Sequence, residues 1–196
     1  TISISTNINP YEKNDFYEAR SNDLSHPVKR SKLISTNGWI STDYRRKLAI
    51  DIGGGISFRP LYEGYGYRWR VSPRYRINDK ISLRYVLSIR NKYNDIGFIT
   101  NDTINFDPAG LYIDPSNINY IFATRNTNMI TNVLSADYIL NNKINLSVKL
   151  RYHIDQVRNL EFKSLEKNGY LYESQYIGYN DINYTTWTAD IAFNWQ

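Results

Sequence analysis

Apolar and polar residues alternate along most of this chain, and the alternation holds its phase over runs of a dozen residues. From Tyr65 the odd positions read Tyr65, Tyr67, Trp69, Val71, Pro73, Tyr75 and Ile77, while the even positions read Gly66, Arg68, Arg70, Ser72, Arg74 and Arg76. Successive side chains of a strand point to opposite sides, so this pattern describes a strand with one aromatic, greasy face and one cationic face. Strands of soluble proteins usually run ~5–6 residues. Ten residues at ~3.3 Å rise and ~40° tilt climb roughly 25 Å, the height of the apolar band of an outer-membrane barrel. The predicted fold class is therefore all-β, an antiparallel transmembrane β-barrel, with the strands here forming part of a larger barrel.

Strands are predicted at 1–8, 32–43, 47–61, 65–77, 81–94, 119–140, 144–162 and 183–196. The connections at 9–31, 95–118 and 163–182 are long and those at 44–46, 62–64, 78–80 and 141–143 are short. All the long ones fall at one end of the sheet, the arrangement in which barrels keep short turns in the periplasm and long loops outside. Asp107-Pro108 and Asp114-Pro115 mark turns within the second long connection.

The turns also predict register. Asn78-Asp79-Lys80 sets Ile77 opposite Ile81, Tyr75 opposite Leu83 and Val71 opposite Leu87; Asn141-Asn142-Lys143 sets Leu140 opposite Ile144, Tyr138 opposite Leu146, Ala136 opposite Val148 and Leu134 opposite Leu150. A Glu63-Gly64 hairpin would set Ile50 opposite Ile77, Ile52 opposite Tyr75 and Phe58 opposite Trp69. Each register keeps apolar residues together, and a one-residue slip would break the bands. In strand 32–43 the phase is poorer, because Leu33 and Trp39 fall opposite in face to Ile34 and Ile40, and a β-bulge is expected there. The last strand puts Trp187, Ala189, Ile191, Phe193 and Trp195 on one face. Its two Trp lie about 20 Å apart along the membrane normal, so Trp187 and Trp195, with Trp69, are the expected girdle anchors.

Composition narrows the alternatives. The chain has 196 residues, a formal charge of +5, eighteen Tyr, four Trp and no Cys. The length suits a single domain. Aromatic abundance fits barrel girdles, and the missing Cys excludes disulfides and thiolate chemistry. A mean hydropathy of −0.55 leaves no apolar run long enough for a transmembrane helix, which does not disfavour a barrel, since half of each spanning strand faces a polar lumen. Thr1 opens inside an alternating run and Phe193-Asn194-Trp195-Gln196 ends at the close of one. Both ends read as cuts in a longer protein, making 1–196 a single barrel segment.

Candidate chemistry lies on the polar face. Arg59, Arg68, Arg70, Arg74, Arg76, Arg84, Arg90, Lys149 and Arg151 line it, against Asp51, Asp137, Asp155 and Asp190. The hairpin register would pair Asp51 with Arg76, while Arg74 falls opposite Arg84 and Arg68 opposite Arg90. Directly opposed like charges are destabilising, so water or an anion must relieve them. An eight-stranded interior is just wide enough to be filled by side chains, where an unpaired arginine wall would be very costly. The strands at 1–8 and 183–196 are therefore expected not to close on each other. The functional reading is an anion-attracting pore or a seat for a plug; the plainer one is a solvated wall neutralised by acids on other strands.

Catalysis has little support. His153 falls on the polar face near Asp155 and opposite Thr131, and His26 sits in the first long connection, without a nucleophile motif or a metal-ligand spacing. Gly53-Gly54-Gly55 sits inside a strand with no helix after it, so it is not a phosphate loop; it is expected to allow either sharp curvature or close approach by another element. Nucleic acid is not an expected partner, because Tyr and Arg take opposite faces of one strand. No cofactor or metal is expected.

Local sequences carry a family resemblance. Asn9-Pro10-Tyr11-Glu12-Lys13-Asn14-Asp15-Phe16-Tyr17-Glu18, Ser41-Thr42-Asp43-Tyr44-Arg45-Arg46-Lys47, Ser72-Pro73-Arg74-Tyr75-Arg76 and the closing Phe193-Asn194-Trp195-Gln196 resemble the C-terminal β-barrel domain, of unknown function, of Gram-negative outer-membrane proteins that carry an N-terminal family-nine-type carbohydrate-binding module. The resemblance spans the whole chain. It implies a location in the outer membrane of a Gram-negative bacterium, contact with outer-membrane lipid, and carbohydrate or other envelope proteins as partners. The expected function is transport or pore formation, or membrane anchoring of a surface or periplasmic binding module, and the resemblance favours carbohydrate-related work. The alternative is an outer-membrane hydrolase acting on glycan or envelope substrates through loop residues.

Overall fold

The computed structural model describes residues 1–20, 26–103, 118–141 and 143–195. In chain order its strands are β1 (Ile2–Asn9), β2 (Lys13–Asp15), β3 (Val28–Arg30), β4 (Leu33–Ser41), β5 (Leu48–Arg59), β6 (Gly64–Arg76), β7 (Ile81–Thr103), β8 (Ile118–Asn141), β9 (Ile144–Leu165), β10 (Leu171–Glu173) and β11 (Ile182–Trp195). One antiparallel sheet runs β1-β4-β5-β6-β7-β8-β9, with β10 and β11 pairing with β9 and β2-β3 forming a small hairpin of its own. The class is all-β, as expected. β1 and β11 do not pair with each other, so the sheet is open and the described residues do not close a barrel. No helix among them is long and apolar enough to cross a membrane.

The short turns share a device. Asn78 Oδ1 accepts the backbone N–H groups of Lys80 and Ile81, both at 2.9 Å. Asn141 Oδ1 accepts those of Lys143 at 2.9 Å and Ile144 at 3.0 Å. In the β4–β5 turn Asp43 plays the same part toward the Arg45 N–H at 3.0 Å. An Asn or Asp side chain that satisfies donors two and three residues ahead imitates a backbone turn, which is why these residue types punctuate the alternation.

Two of the predicted registers hold. Tyr75 faces Leu83 and Val71 faces Leu87; Tyr138 faces Leu146, Ala136 faces Val148 and Leu134 faces Leu150. At the very turn Asn141, not Leu140, meets Ile144, because the ladder is irregular between Ile139 and Asn141. The β5–β6 register is corrected by four residues: Ile50 faces Pro73, Ile52 faces Val71 and Phe58 faces Tyr65. Pro60 is the reason. It has no N–H for the ladder, so β5 ends at Arg59 and Pro60–Tyr62 form a turn of 3-10 helix, closed by Glu63 in the left-handed region at φ 55°. An even shift returns every side chain to its expected face.

The bulge expected in 32–43 is also corrected. β4 pairs without a register shift on both sides; the phase anomaly is simply Leu33 and Trp39 on the polar face. Shifts occur instead farther along the longest strands, between Lys92 and Asp95, where Asn94 has φ 49°, and between Phe98 and Thr100. Past these, β7 continues to Thr103 where a loop from 95 was expected, and β8 and β9 rise beside it. The turns expected at Asp107-Pro108 and Asp114-Pro115 lie outside the described residues.

These extensions build the only substantial hydrophobic core among the described residues. Ala19, Val28, Tyr120, Phe122, Leu165 and Leu171 are buried together, with Tyr62, Ile96 and Phe98 packed against them. Phe98 meets Phe122 edge-on at 5.7 Å, and the Arg20 guanidinium lies 4.8 Å over the Phe98 ring. Polar links tie the connections together at this end. Lys29 N–H donates to Gly169 O at 2.7 Å, Leu171 N–H to the Tyr62 hydroxyl at 3.1 Å, and the Tyr170 hydroxyl to Glu12 at 2.9 Å. Arg30 bridges Asp15 at 3.1 Å and Glu18 at 2.5 Å. The described parts of the long connections therefore pack together as one cap at the loop end of the sheet.

Two predictions follow from the cap. Phe122 is fully buried, so Phe122→Ala should cost about 3–5 kcal/mol locally; hydrogen exchange should quicken at 166–173 and remain unchanged in β5 and β6. Partial burial pushes the Asp15 carboxyl up, but the Tyr17 N–H and the Arg30 guanidinium outweigh it and hold its pKa below the usual value. Its contribution is complete above about pH 3.9, the unfolded value, and is lost as pH falls through the lower folded value. Exchange protection of β2-β3 should thus weaken in that acid window, and Arg30→Ala should reduce the pH dependence, the backbone N–H groups of Tyr17 and Glu18 keeping part of it.

Candidate functional site

The ladders sort the side chains of the sheet into two surfaces. One carries Ile4, Ile40, Ile52, Trp69, Leu87, Leu150, Ile191 and their neighbours. Even in central strands these residues are about half open, Ile52 at 45%, Ile56 at 51% and Trp69 at 56% exposure. No second layer of described residues covers them. Trp187 and Trp195 stand on the same surface, at 71% and 78% exposure. Trp187 stacks on Tyr152 at 4.3 Å, and at the loop end Tyr65 stacks on Tyr93 at 4.7 Å with Tyr67 nearby. This tyrosine group follows from the β6–β7 register together with the aromatic run Tyr65, Tyr67.

The opposite surface is polar and is arranged in cross-strand rows. One row reads Ser5, Asn37, Gly55, Arg68, Arg90 and Met129; another reads Arg74, Arg84, Ser135, Lys149 and Asp190. Arg68 thus faces Arg90 and Arg74 faces Arg84, as the turn register predicts. Lys92 joins the same face, in phase with Arg84 and Arg90. Arg70 lies between Gly53 and Ser88, Arg76 faces Ser82, and Arg151 lies between Val133 and Thr188.

Few of these cations have partners. Arg68 donates to Asn37 Oδ1 at 2.8 Å and Arg84 to the Ser72 hydroxyl at 3.1 Å, while the Arg74 guanidinium lies 5.5 Å over the Tyr44 ring. Of the polar-face cations, only Lys92 forms an ion pair among the described residues, with Asp95 at 2.7 Å. The expected Asp51–Arg76 pair is corrected. With the register moved by four, Asp51 faces Ser72. Its buried carboxylate instead accepts hydroxyl hydrogen bonds from Ser41, at 2.8 Å, and from Tyr44.

Trp39 extends that network, its indole N–H donating to Ser41 Oγ at 2.8 Å. The glycine triplet explains how a Trp fits on the polar face. A side chain on Gly53 would collide with the Trp39 ring; one on Gly54, pointing the other way, would come within 2.8 Å of the Trp69 ring; one on Gly55 would run into Asn37. Bare backbone on consecutive residues thus admits a ring from each side of the sheet, the close approach expected of the triplet.

His153 faces Thr131, and its Nδ1 lies 2.8 Å from the threonine hydroxyl. Asp155 faces Tyr184 and Met129, and His26 sits at the cap, its ring 4.6 Å from that of Tyr120. No cluster of His, Cys, Asp and Glu able to hold a metal forms among the described residues.

A methyl group at position 53 tests the role of the triplet. Gly53→Ala should destabilise the folded protein by about 1–3 kcal/mol through overpacking, and Trp39→Ala in the same chain should recover part of the loss. Denaturant titration of the single and double variants measures the coupling.

Neither a curated protein nor a solved structure shows significant similarity to this chain. A family model does match, over residues 1–196, under the description "Domain of unknown function (DUF5916)". An open antiparallel sheet with one apolar and one cationic face is thus the form this sequence gives to that domain, and the chain belongs to the DUF5916 family.

Proposed function

We propose that this chain is part of the wall of an outer-membrane β-barrel in a Gram-negative bacterium, serving transport or anchoring a carbohydrate-binding module in the membrane. One observation carries the reading: a predominantly apolar face, which no layer of described residues covers, backs a predominantly polar face on the same single sheet. Soluble monomers rarely expose contiguous apolar patches beyond a few hundred Å², and soluble domains bury such a face against a second layer. Lipid is the environment that this surface fits, and water fits the other. The aromatic groups Tyr65–Tyr93 and Tyr152–Trp187 suit the membrane–water boundary. The carbohydrate link rests on the family resemblance of the local sequences.

Substitution by arginine separates the faces. Leu146, Val148 and Leu150 lie on the apolar face, whereas Ser147 lies on the polar one and donates to Asp137 at 2.7 Å. Arginine on a lipid face costs about 2–4 kcal/mol at the midplane and less toward the interface. Leu146→Arg, Val148→Arg and Leu150→Arg should therefore impair folding of the intact protein into liposomes increasingly in that order, and Ser147→Arg far less. Equal penalties on the two faces, in denaturant titrations, would remove the membrane assignment and leave a soluble β-protein.

A further inference from the structure

Where β5, β6 and β7 meet, the polar face carries a concavity of about 270 Å³ floored by Gly55 and Gly66 and bordered by Arg59, Arg68, Arg90 and Lys92. Among the described residues no carboxylate lines it. Ser35, Asn37 and Ser57 supply the remaining polar wall. The ladders explain the hollow. Gly55 faces both Asn37 and Arg68, and Gly66 faces both Ser57 and Lys92, so the floor has no side chains of its own and Asn37 reaches in over Gly55.

The charges around it are poorly compensated. Lys92 is held by Asp95 at 2.7 Å. Arg68 has a single hydrogen bond, to the neutral Asn37. Arg90, directly opposite Arg68, makes none among the described residues. Arg59 buries its Nη1 with no acceptor. An unbonded buried donor on a charged group is costly, and opposed like charges add to that cost. Three guanidinium groups from three strands converge on one hollow, each a planar fork of donors suited to oxygen anions.

We propose that this hollow is a binding site for a small multivalent oxyanion, a phosphate- or sulfate-type group on a solute passing along the polar face. The site rests on the reading of that face as the water-filled interior, and it adds the class of ligand. Such an anion supplies acceptors to the guanidinium groups that line the hollow, Arg59, Arg68 and Arg90, and relieves the opposed charges of Arg68 and Arg90. Asn37 and the hydroxyls of Ser35 and Ser57 are placed to contact its remaining oxygens or substituents. A chloride ion carries a single charge and has no separate oxygens to pair with each of three planar forks.

The chain has no cysteine, so a thiol introduced into it is unique within these residues, and any cysteine elsewhere in the intact protein is replaced by serine beforehand. Ser57→Cys places it in the hollow and Ile56→Cys places it on the opposite face. In the intact protein in liposomes, a neutral, membrane-impermeant methanethiosulfonate should modify Ser57→Cys and spare Ile56→Cys. Inorganic pyrophosphate at about ten times its Kd should slow the Ser57→Cys reaction about tenfold, and chloride at matched ionic strength should not. Adding Arg68→Gln and Arg90→Gln should remove the protection; since these changes also remove a repulsion, folding should survive, as the heat-dependent gel shift of a folded barrel would verify. Reaction at Ile56→Cys instead of Ser57→Cys would overturn the interior reading. Reaction at Ser57→Cys without protection would leave that reading intact and overturn the site, its charges then being met by acids elsewhere in the protein. Protection equal with chloride, or retained in the Gln variant, would overturn it too.

Discussion

Register across the antiparallel ladders is the constraint on which everything else in this sheet depends. Side chains repeat every two residues along a strand, so an odd slip in any ladder would carry a strand's apolar set to the polar face. Across the wall, short of the shifts near the ends of β7, β8 and β9, the faces are kept: Ile2 faces Ile40, Ile40 faces Ile52, Ile52 faces Val71, Val71 faces Leu87, and the chain of pairs continues through Asn132 and Tyr152 to Trp187 on one surface. The Asx turns at Asn78 and Asn141 hold the phase where neighbouring strands begin. The 3-10 turn at Pro60–Tyr62 holds it between β5 and β6 by a different geometry.

Packing energy is distributed unevenly as a result. The wall is one layer thick, and its cohesion comes from ladder hydrogen bonds and cross-strand pairs such as Tyr65–Tyr93 and Tyr152–Trp187. The three-dimensional core lies at the loop end, where β7, β8 and β9 outrun their neighbours and the connections wrap onto Phe122. Cap and wall thus obey different physics. The cap excludes water with its own side chains, whereas each face of the wall takes its environment from outside the described chain.

Electrostatics follow the same division. Ion pairs concentrate in the connections and at the loop end, as in Arg30 with Asp15 and Glu18 or Lys92 with Asp95. Along the wall, Asp51 is occupied by Ser41 and Tyr44, and Asp137 accepts from Ser147. These carboxylates consequently leave the arginine rows uncompensated, and it is this excess, set beside the bare Gly55 and Gly66, that gives the polar face its chemical character.

The eight long strands, the faces of all of them except 32–43, and the grouping of long connections at one end were legible in the sequence, because a period of two and Asn-led turns are local properties that need no partner to be read; the short β2, β3 and β10 were not. Arg68 opposite Arg90 and Arg74 opposite Arg84 were legible too, since a tight turn converts position directly into pairing. Asp51 shows where that reading stops: Pro60 closes β5 early, and the resulting shift of four residues keeps the face of Asp51 but exchanges Arg76 for the Ser41 and Tyr44 hydroxyls. Trp39 looked like a phase error, and only the glycine opposite it, in another strand, makes a polar-face indole possible. The loop-end core was likewise hidden, since Val28, Phe122 and Leu171 meet across connections whose lengths say nothing about their path. Alternation along one strand determined the faces; contacts between strands distant in sequence, which alternation does not encode, decided the partners.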